Sequence, residues 1–333
     1  MRILVTGANG FIGQALCPRL VQSGYMVRGA FRSADRFPLQ RGGVEYVVVG
    51  DIGPETDWRR VLAQIDVVIH LAGRAHVMEE TSEDPAAEYR RVNTDATRQL
   101  AKAAVQQGVR RLIFISTVKV NGEESPDRPF TEADIPHPAD PYAVSKWEAE
   151  QALAQIAGTS ALELVIFRLP LVYGPNVKGN FLNLLNFISR HKIFPLRNLK
   201  NRRSLLYIEN CIDVLMLAVH HPQVANKTFF ISDQADLTTP ELIRALTQSL
   251  DRRCNMFPFP LGGLRILAKT GDMAEHLWHK KLPLNSARLQ RLAGSLMVDS
   301  RLFSDITGWH PPYSPEEGLK QTAGWYVKKT GYE

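Results

Sequence analysis

The stretch Ile3-Leu4-Val5-Thr6-Gly7-Ala8-Asn9-Gly10-Phe11-Ile12-Gly13 governs how the rest of the chain is read. An apolar, β-branched run enters three glycines spaced G-x-x-G-x-x-G, and a segment of helical periodicity, Ile12 to Ser23, follows directly. A buried strand that turns through glycines into a helix brings its backbone close to a pyrophosphate, which the amide end of the helix then holds. Gly7, Asn9, Gly10, Phe11, Ile12 and Gly13 are therefore the expected dinucleotide-binding turn. A tight strand-to-helix turn with no ligand is the alternative reading of the same glycines.

Outward from that turn, short β-branched runs alternate with helical segments. Arg2 to Thr6, Tyr25 to Phe31, Val44 to Val49, Val67 to Leu71, Leu112 to Ser116 and Leu162 to Arg168 read as strands. Ile12 to Ser23, Trp58 to Gln64, Tyr89 to Gln107 and Pro141 to Gly158 read as helices. The alternation predicts an α/β fold, a Rossmann-like doubly wound parallel sheet. Beyond Tyr173 the pattern loosens into a smaller, mixed α/β C-terminal lobe that binds substrate.

Composition narrows the class. With 333 residues, 44% hydrophobic and 22% charged, the chain has the make-up of an ordinary globular protein. No run reaches the roughly 18 apolar residues of a membrane span, and the first strand starts at Arg2, which leaves no room for a secretory signal; a cytoplasmic address is expected. Cys17, Cys211 and Cys254 are odd in number and lack ligand spacing, so reduced, mostly buried thiols and no metal site are expected. The net charge of +6 suits an acidic ligand. The basic residues are scattered, which argues against nucleic acid. Their one concentration, Lys269 through Arg291 with Lys280 and Lys281, is interleaved with apolar residues and reads as an ordinary solvated helix face, as do Trp278 and His279.

The second strand ends in Phe31-Arg32-Ser33 without the carboxylate that usually holds the ribose hydroxyls of NAD. Arg32 and Ser33 can receive a 2′-phosphate, which favours NADP, with NAD retained as the alternative. Asp51 and Ile52 after the third strand fit an adenine contact, or equally a turn. Leu71-Ala72-Gly73 puts small residues where backbone passes close to a cofactor.

The stretch Pro141-Tyr142-Ala143-Val144-Ser145-Lys146 opens a helix and sets Tyr142 and Lys146 one turn apart. An ammonium there is expected to lower the phenol toward working pH, giving an acid and base. Ser116 and Thr117 end a buried strand at the carboxyl edge of the sheet, where a hydroxyl can polarise a carbonyl oxygen.

With these residues together, the chain resembles an extended short-chain dehydrogenase/reductase of the nucleotide-sugar epimerase and dehydratase group, over almost its whole length. The resemblance implies Thr117, Tyr142 and Lys146 as the catalytic set, with Thr117 also touching substrate, and an NAD or NADP cofactor contacted by Asn93, Ser116, Tyr142, Lys146 and Pro170. It implies that Asn93 braces the active-site helix and that Pro170, in Phe167-Arg168-Leu169-Pro170, lies beside the nicotinamide. Lys119, Asn121, Asn180 and Arg203 are implied substrate contacts, although Asn121 replaces a tyrosine usual in the group; Asn180 and Arg203 fall where the group holds the nucleotide diphosphate. Residues 1–173, with roughly 203–235 returning to them, are expected to bind the dinucleotide, and 174–333 mainly the nucleotide sugar. A homodimer is implied as well.

The dehydratases of this group carry an Asp-Glu pair after the catalytic threonine, but Val118 and Lys119 stand here, so water elimination lacks its proton shuttle. A 4-epimerase and a 4-keto reductase remain. The missing carboxylate after Val27, and the similarity of Thr117 to Gly122 and Val177 to Phe181 to enzymes that form UDP-N-acetylquinovosamine, favour reduction of a UDP-4-keto-6-deoxy-N-acetylhexosamine. A non-catalytic dinucleotide sensor is the rival class, and retention of both Tyr142 and Lys146 argues against it.

Overall fold

The computed structural model describes residues 1–33, 40–75, 82–125, 127–278 and 285–331. His279, Lys280 and Lys281 lie outside them. The strands in chain order are β1 (Arg2–Thr6), β2 (Met26–Phe31), β3 (Gln40–Arg41), β4 (Val44–Val48), β5 (Val67–His70) and β6 (Arg111–Thr117). They continue with β7 (Glu163–Leu169), β8 (Leu171–Tyr173), β9 (Ile193–Phe194), β10 (Leu205–Tyr207), β11 (Lys227–Phe230) and β12 (Asn255–Met256). The helices are α1 (Phe11–Gln22), α2 (Arg59–Leu62), α3 (Pro85–Tyr89), α4 (Ala96–Gln106), α5 (Pro141–Gly158) and α6 (Gly179–Arg190). After them come α7 (Ile208–Ala218), α8 (Thr239–Ser249), α9 (Leu261–Trp278), α10 (Ser286–Ala293), α11 (Arg301–Thr307) and α12 (Pro315–Thr330).

The main sheet has the order β11-β7-β6-β5-β1-β2-β4-β3, parallel throughout except for the antiparallel edge strand β3. Pleating sends alternate residues of each strand to opposite sides. Ile3, Val5, Ile69, Ile113 and Val165 join one core with Leu16 and Leu20 of α1 and Ile212 and Leu215 of α7. Leu4, Val68, Leu112, Phe114 and Leu164 join the other with Leu100 of α4 and Leu153 of α5. Both faces are covered, as the Rossmann-like reading requires.

β1 lies between β2 and β5, so the chain winds outward through β2 and β4 and then crosses back to β5, β6 and β7. The crevice beyond the carboxyl ends of β1 and β5 is the switch point, where ligands of open α/β sheets bind. β10 pairs with β8 and β12 with β9 in separate two-stranded sheets, while β11 adds to the main sheet beside β7.

Three expectations change in detail. The helix foreseen from Tyr89 to Gln107 is interrupted by a π-helical turn, Arg90–Asp95, whose wider coil turns Asn93 and Thr94 into the interior. The helix foreseen from Trp58 to Gln64 shrinks to α2, because Ala63 is extended and Gln64 takes a φ of 62°. The edge hairpin of β3 and β4 was not foreseen; its signal was Gly42-Gly43, both at positive φ. Among the thiols, Cys17 and Cys211 are buried and pushed up to about 12 by burial, and Cys254 is half-buried.

Candidate active site

The glycine turn is built for close approach. Gly7 has a φ of 67°, and a Cβ on it would stand 2.9 Å from the Ala72 amide nitrogen. A Cβ on Gly13 would stand 2.4 Å from the Gly7 carbonyl oxygen, so α1 packs against the turn only because that atom is missing. Gly10 caps α1 with no side chain, and no acidic residue occupies the first turn. The amide end of the helix, with its partial positive charge, is thus left to an external anion, and the cradle fits a dinucleotide pyrophosphate.

Beneath the turn runs a buried polar chain. Thr6 Oγ1 accepts from the Ala72 amide at 3.2 Å and shares a hydrogen with His70 Nδ1 at 2.7 Å, and His70 Nε2 reaches Thr97 Oγ1 at 2.9 Å. Burial, then the nearby charge of Lys146, pushes His70 down to about 3, so the imidazole is neutral. This brace ties β1, β5 and α4 together and aims Leu71-Ala72-Gly73 past the turn. Sequence reading did not single out His70.

On the other side of the crevice, Asp140 caps α5 by accepting from the Ala143 amide at 2.6 Å, with Pro141 at the first helical position. Tyr142, Lys146 and Glu150 follow one turn apart along a single face. Thr117, at the end of β6, lies near enough to the Tyr142 phenol to favour its ionised form. The resulting hydroxyl pair stands at the carboxyl edge of the sheet. Asn93 braces α5 as expected: its Nδ2 donates to Ser145 Oγ and to the Arg74 carbonyl, both at 3.0 Å, while its Oδ1 accepts from the Arg74 amide at 2.8 Å. Thr94 Oγ1 adds a bond to the Ser145 carbonyl at 2.8 Å.

The proposed electrostatics of Tyr142 require correction. Lys146 Nζ donates to the Ile115 carbonyl at 2.7 Å and lies 4.3 Å from the centre of the Phe114 ring. Burial, reinforced by Asp140 and Tyr89 and opposed by the Thr117 hydroxyl, pushes the Tyr142 phenol up to about 12. The phenol is therefore raised, and it keeps its proton through the neutral range. Lys146 itself is pushed down to about 8 by burial, against the opposing charge of Glu150.

Other expected contacts are committed elsewhere. Asn121, expected at the substrate, is buried; its Oδ1 accepts from Arg168 Nη1 at 2.9 Å and its Nδ2 donates to the Asp134 carbonyl at 3.3 Å. Ser116, expected beside the cofactor, is also buried and donates to Glu150, which forms a buried ion pair with Arg168 at 2.6 Å. Both side chains thus lock β6, β7 and α5 to one another, because a buried polar atom must find a partner within the protein. Lys119 pairs with Asp140 at 2.6 Å and Glu123 at 2.9 Å, which fastens the turn after Thr117 to the cap of α5.

Arg32 and Asp51, read as separate cofactor contacts, face each other at 3.6 Å as an exposed pair, with Ser33 beside them. Ile52 packs on the second core. Pro170 is buried between β7 and β8. Asn180 is exposed in the first turn of α6, and Arg203 is held in the C-terminal lobe, its backbone bridging Leu237 and Leu296 and its Nε donating to the Gly294 carbonyl at 3.1 Å. Two neighbours went unnoticed in the sequence: Tyr89 meets Tyr142 edge-on at 6.0 Å, and the Arg74 guanidinium lies 5.4 Å from the Tyr89 ring centre.

A doubly wound sheet, a glycine cradle at its switch point and two hydroxyl-bearing side chains across the crevice define an α/β protein with a cleft that fits a dinucleotide. Residues 3–231 match the NAD dependent epimerase/dehydratase family. A UDP-glucose 4-epimerase from Vibrio cholerae is 39% identical over 98% of this chain and 95% of its own. An N-acetyl-alpha-D-glucosaminyl-diphospho-ditrans,octacis-undecaprenol 4-epimerase from Escherichia coli O157:H7 is 26% identical over 96% of this chain and 93% of its own. Among solved structures, the UDP-glucuronic acid 4-epimerase of Bacillus cereus in complex with UDP-glucuronic acid and NAD has the same fold, with a TM-score of 0.76, 23% identity and coverage of 99% of this chain and 100% of that one. The chain belongs to the NAD dependent epimerase/dehydratase family.

Proposed function

We propose that the chain reduces the C4 ketone of a UDP-4-keto-6-deoxy-N-acetylhexosamine to UDP-N-acetylquinovosamine, a surface-polysaccharide precursor. The observation that carries this reading is that Thr117, ending β6, and Tyr142, in the first turn of α5, set two hydroxyls at the carboxyl edge of the sheet, with burial raising the phenol. A protonated phenol is ready to act as an acid on a ketone oxygen; oxidation of an alcohol would first need it to lose its proton.

A bound NADPH or NADH supplies the hydride. Thr117 and Tyr142 donate hydrogen bonds to the C4 oxygen and draw charge onto it, and Tyr142 Oη gives up its proton as the alcohol forms. Lys146, its ammonium anchored on the Ile115 carbonyl, provides a donor for the nicotinamide ribose. Gly7, Asn9, Gly10, Phe11, Ile12, Gly13 and Leu71 to Gly73 hold the dinucleotide, while Asn180 and Arg203 take the nucleotide diphosphate sugar. NADP is favoured because the Arg32–Asp51 pair is exposed and long, which makes it weak and leaves the guanidinium to a 2′-phosphate. In this reading residues 1–173 with 203–235 serve the cofactor, 174–333 mainly the sugar, and two copies associate.

A second reading is a UDP-hexose 4-epimerase with retained NAD, favoured by the 39% identity to the Vibrio cholerae enzyme. Incubation with the 4-keto sugar and NADH or NADPH in parallel separates the two. Stoichiometric loss of reduced cofactor supports the reductase. Interconversion of UDP-hexoses without net loss, with NAD released from the denatured protein, replaces it with the epimerase. In either case Tyr142→Phe is expected to abolish turnover while sparing dinucleotide binding; substantial residual turnover would remove Tyr142 from the chemistry.

A further inference from the structure

The C-terminal lobe carries an apolar surface that neither core accounts for. On α9, Ile266 is 66% exposed, Leu267 49% and Met273 64%, and at its side Phe257 is 42% and Ile193 62% exposed. Positions 266 and 273 are seven apart and share a helix face, with Leu267 beside them. Phe257 and Phe259 link the β9–β12 edge to the start of α9. Phe259 packs on Gly263 one turn before Ile266, the Phe257 and Phe259 rings meet at 6.4 Å, and the Phe257 carbonyl accepts from the Arg197 amide at 3.3 Å. Ile193 pairs in register with Asn255, two residues from Phe257.

Its charge is predominantly positive. Arg190, Lys192, Arg197 and Lys200 in residues 190–200, and Arg252, Arg253, Arg265 and Lys269 in 252–270, are accompanied by no Asp or Glu in either stretch. Three carboxylates border these stretches and stay charged, Asp251 beside Arg252 and, on α9, Asp272, which accepts from the Ser286 amide at 3.0 Å, and Glu275, which accepts from Asn285 Nδ2 at 2.9 Å; the eight cations outnumber them. Among the described residues no helix is long and apolar enough to cross a membrane. Large aliphatic side chains ringed by cations are the pattern of a helix that lies in a bilayer interface, where the apolar face enters the acyl boundary and the cations meet anionic headgroups.

We propose that this face, α9 with the β9–β12 edge, docks the protein on an anionic phospholipid surface. The net positive charge around the aliphatic centre favours an anionic lipid surface over a second copy of the chain, whose equal excess would repel.

The test is sedimentation of the full chain with vesicles of phosphatidylcholine alone, or of phosphatidylcholine mixed with phosphatidylglycerol. Binding to the mixed vesicles only, lost at about 1 M salt where screening reaches about 3 Å, is expected. Ile266→Ser with Leu267→Ser and Met273→Ser, and separately Arg265→Glu with Lys269→Glu, should each weaken binding by roughly tenfold or more at unchanged turnover and melting temperature. Three results would overturn the proposal: no binding to mixed vesicles at low salt, binding indifferent to both sets of substitutions, or a dimer in solution that the triple substitution splits while vesicle binding is absent.

Discussion

Lys146 shows how a motif legible in sequence acquires its chemistry from neighbours that are far away in it. The spacing to Tyr142 was plain, but burial puts its ammonium against Ile115 and Phe114, with neutral His70 of β5 on one side and Glu150 of its own helix on another. Glu150 in turn is held by Arg168 of β7 and Ser116 of β6. Lys146 is lowered to about 8 by burial, and the Glu150 carboxylate works against that shift. If the ammonium is the working form, activity should fall as pH rises through about 8. Glu150→Gln removes the opposing charge and leaves Arg168 uncompensated, so the alkaline limb should move to lower pH, whereas Ser116→Ala should leave it in place. A pH profile of kcat, with melting curves as a check on folding, tests this; an unmoved limb in Glu150→Gln would sink the role given to Glu150.

The first βα unit shows what a local pattern can and cannot specify. Strand, glycines and helix were all readable, because a period of two followed by a period near 3.6 is written in adjacent residues. That Gly13 serves packing against Gly7, and Gly7 the passage of Ala72, was not readable, since Ala72 arrives from β5. Gly13→Ala should force α1 away from the turn. A loss of roughly 1–3 kcal/mol of stability, typical of overpacking, is expected, along with dinucleotide binding weakened at least about tenfold as the helix end retreats from the phosphate. Thermal melting and fluorescence titration with NADH and NADPH measure both, and undiminished affinity would contradict the cradle. The π-helical turn at Arg90–Asp95 teaches the same lesson: its sequence has helical periodicity, and the widening that turns Asn93 to Ser145 depends on α5.

For the chain as a whole, the brace Thr6–His70–Thr97 links the cofactor crevice to folding. His70 has a folded value of about 3, against its usual 6.5 when unfolded. A histidine lowered in the folded state contributes its full stability above the unfolded value, and that contribution is lost as pH falls toward the folded one. Between about pH 6 and 4 the slope is about 1.4 kcal/mol per pH unit. The stability difference between the natural chain and His70→Asn should therefore shrink with acidification over that interval, as followed by urea unfolding at several pH values. A difference independent of pH would mean that His70 is not buried neutral.

The succession of strands and helices, the glycine cradle and the spacing of Tyr142 and Lys146 were legible in the chain alone, because each depends on residues within a few turns of one another. The direction of the Tyr142 shift, the diversion of Asn121 and Ser116 into the Arg168–Glu150 network, and the mutual facing of Arg32 and Asp51 were not. Each depends on which distant segments the winding of the sheet brings together and how far water is excluded there. Periodicity records which face of an element is buried, but the identity of the partner on that face, and hence its charge, emerges when the elements pack.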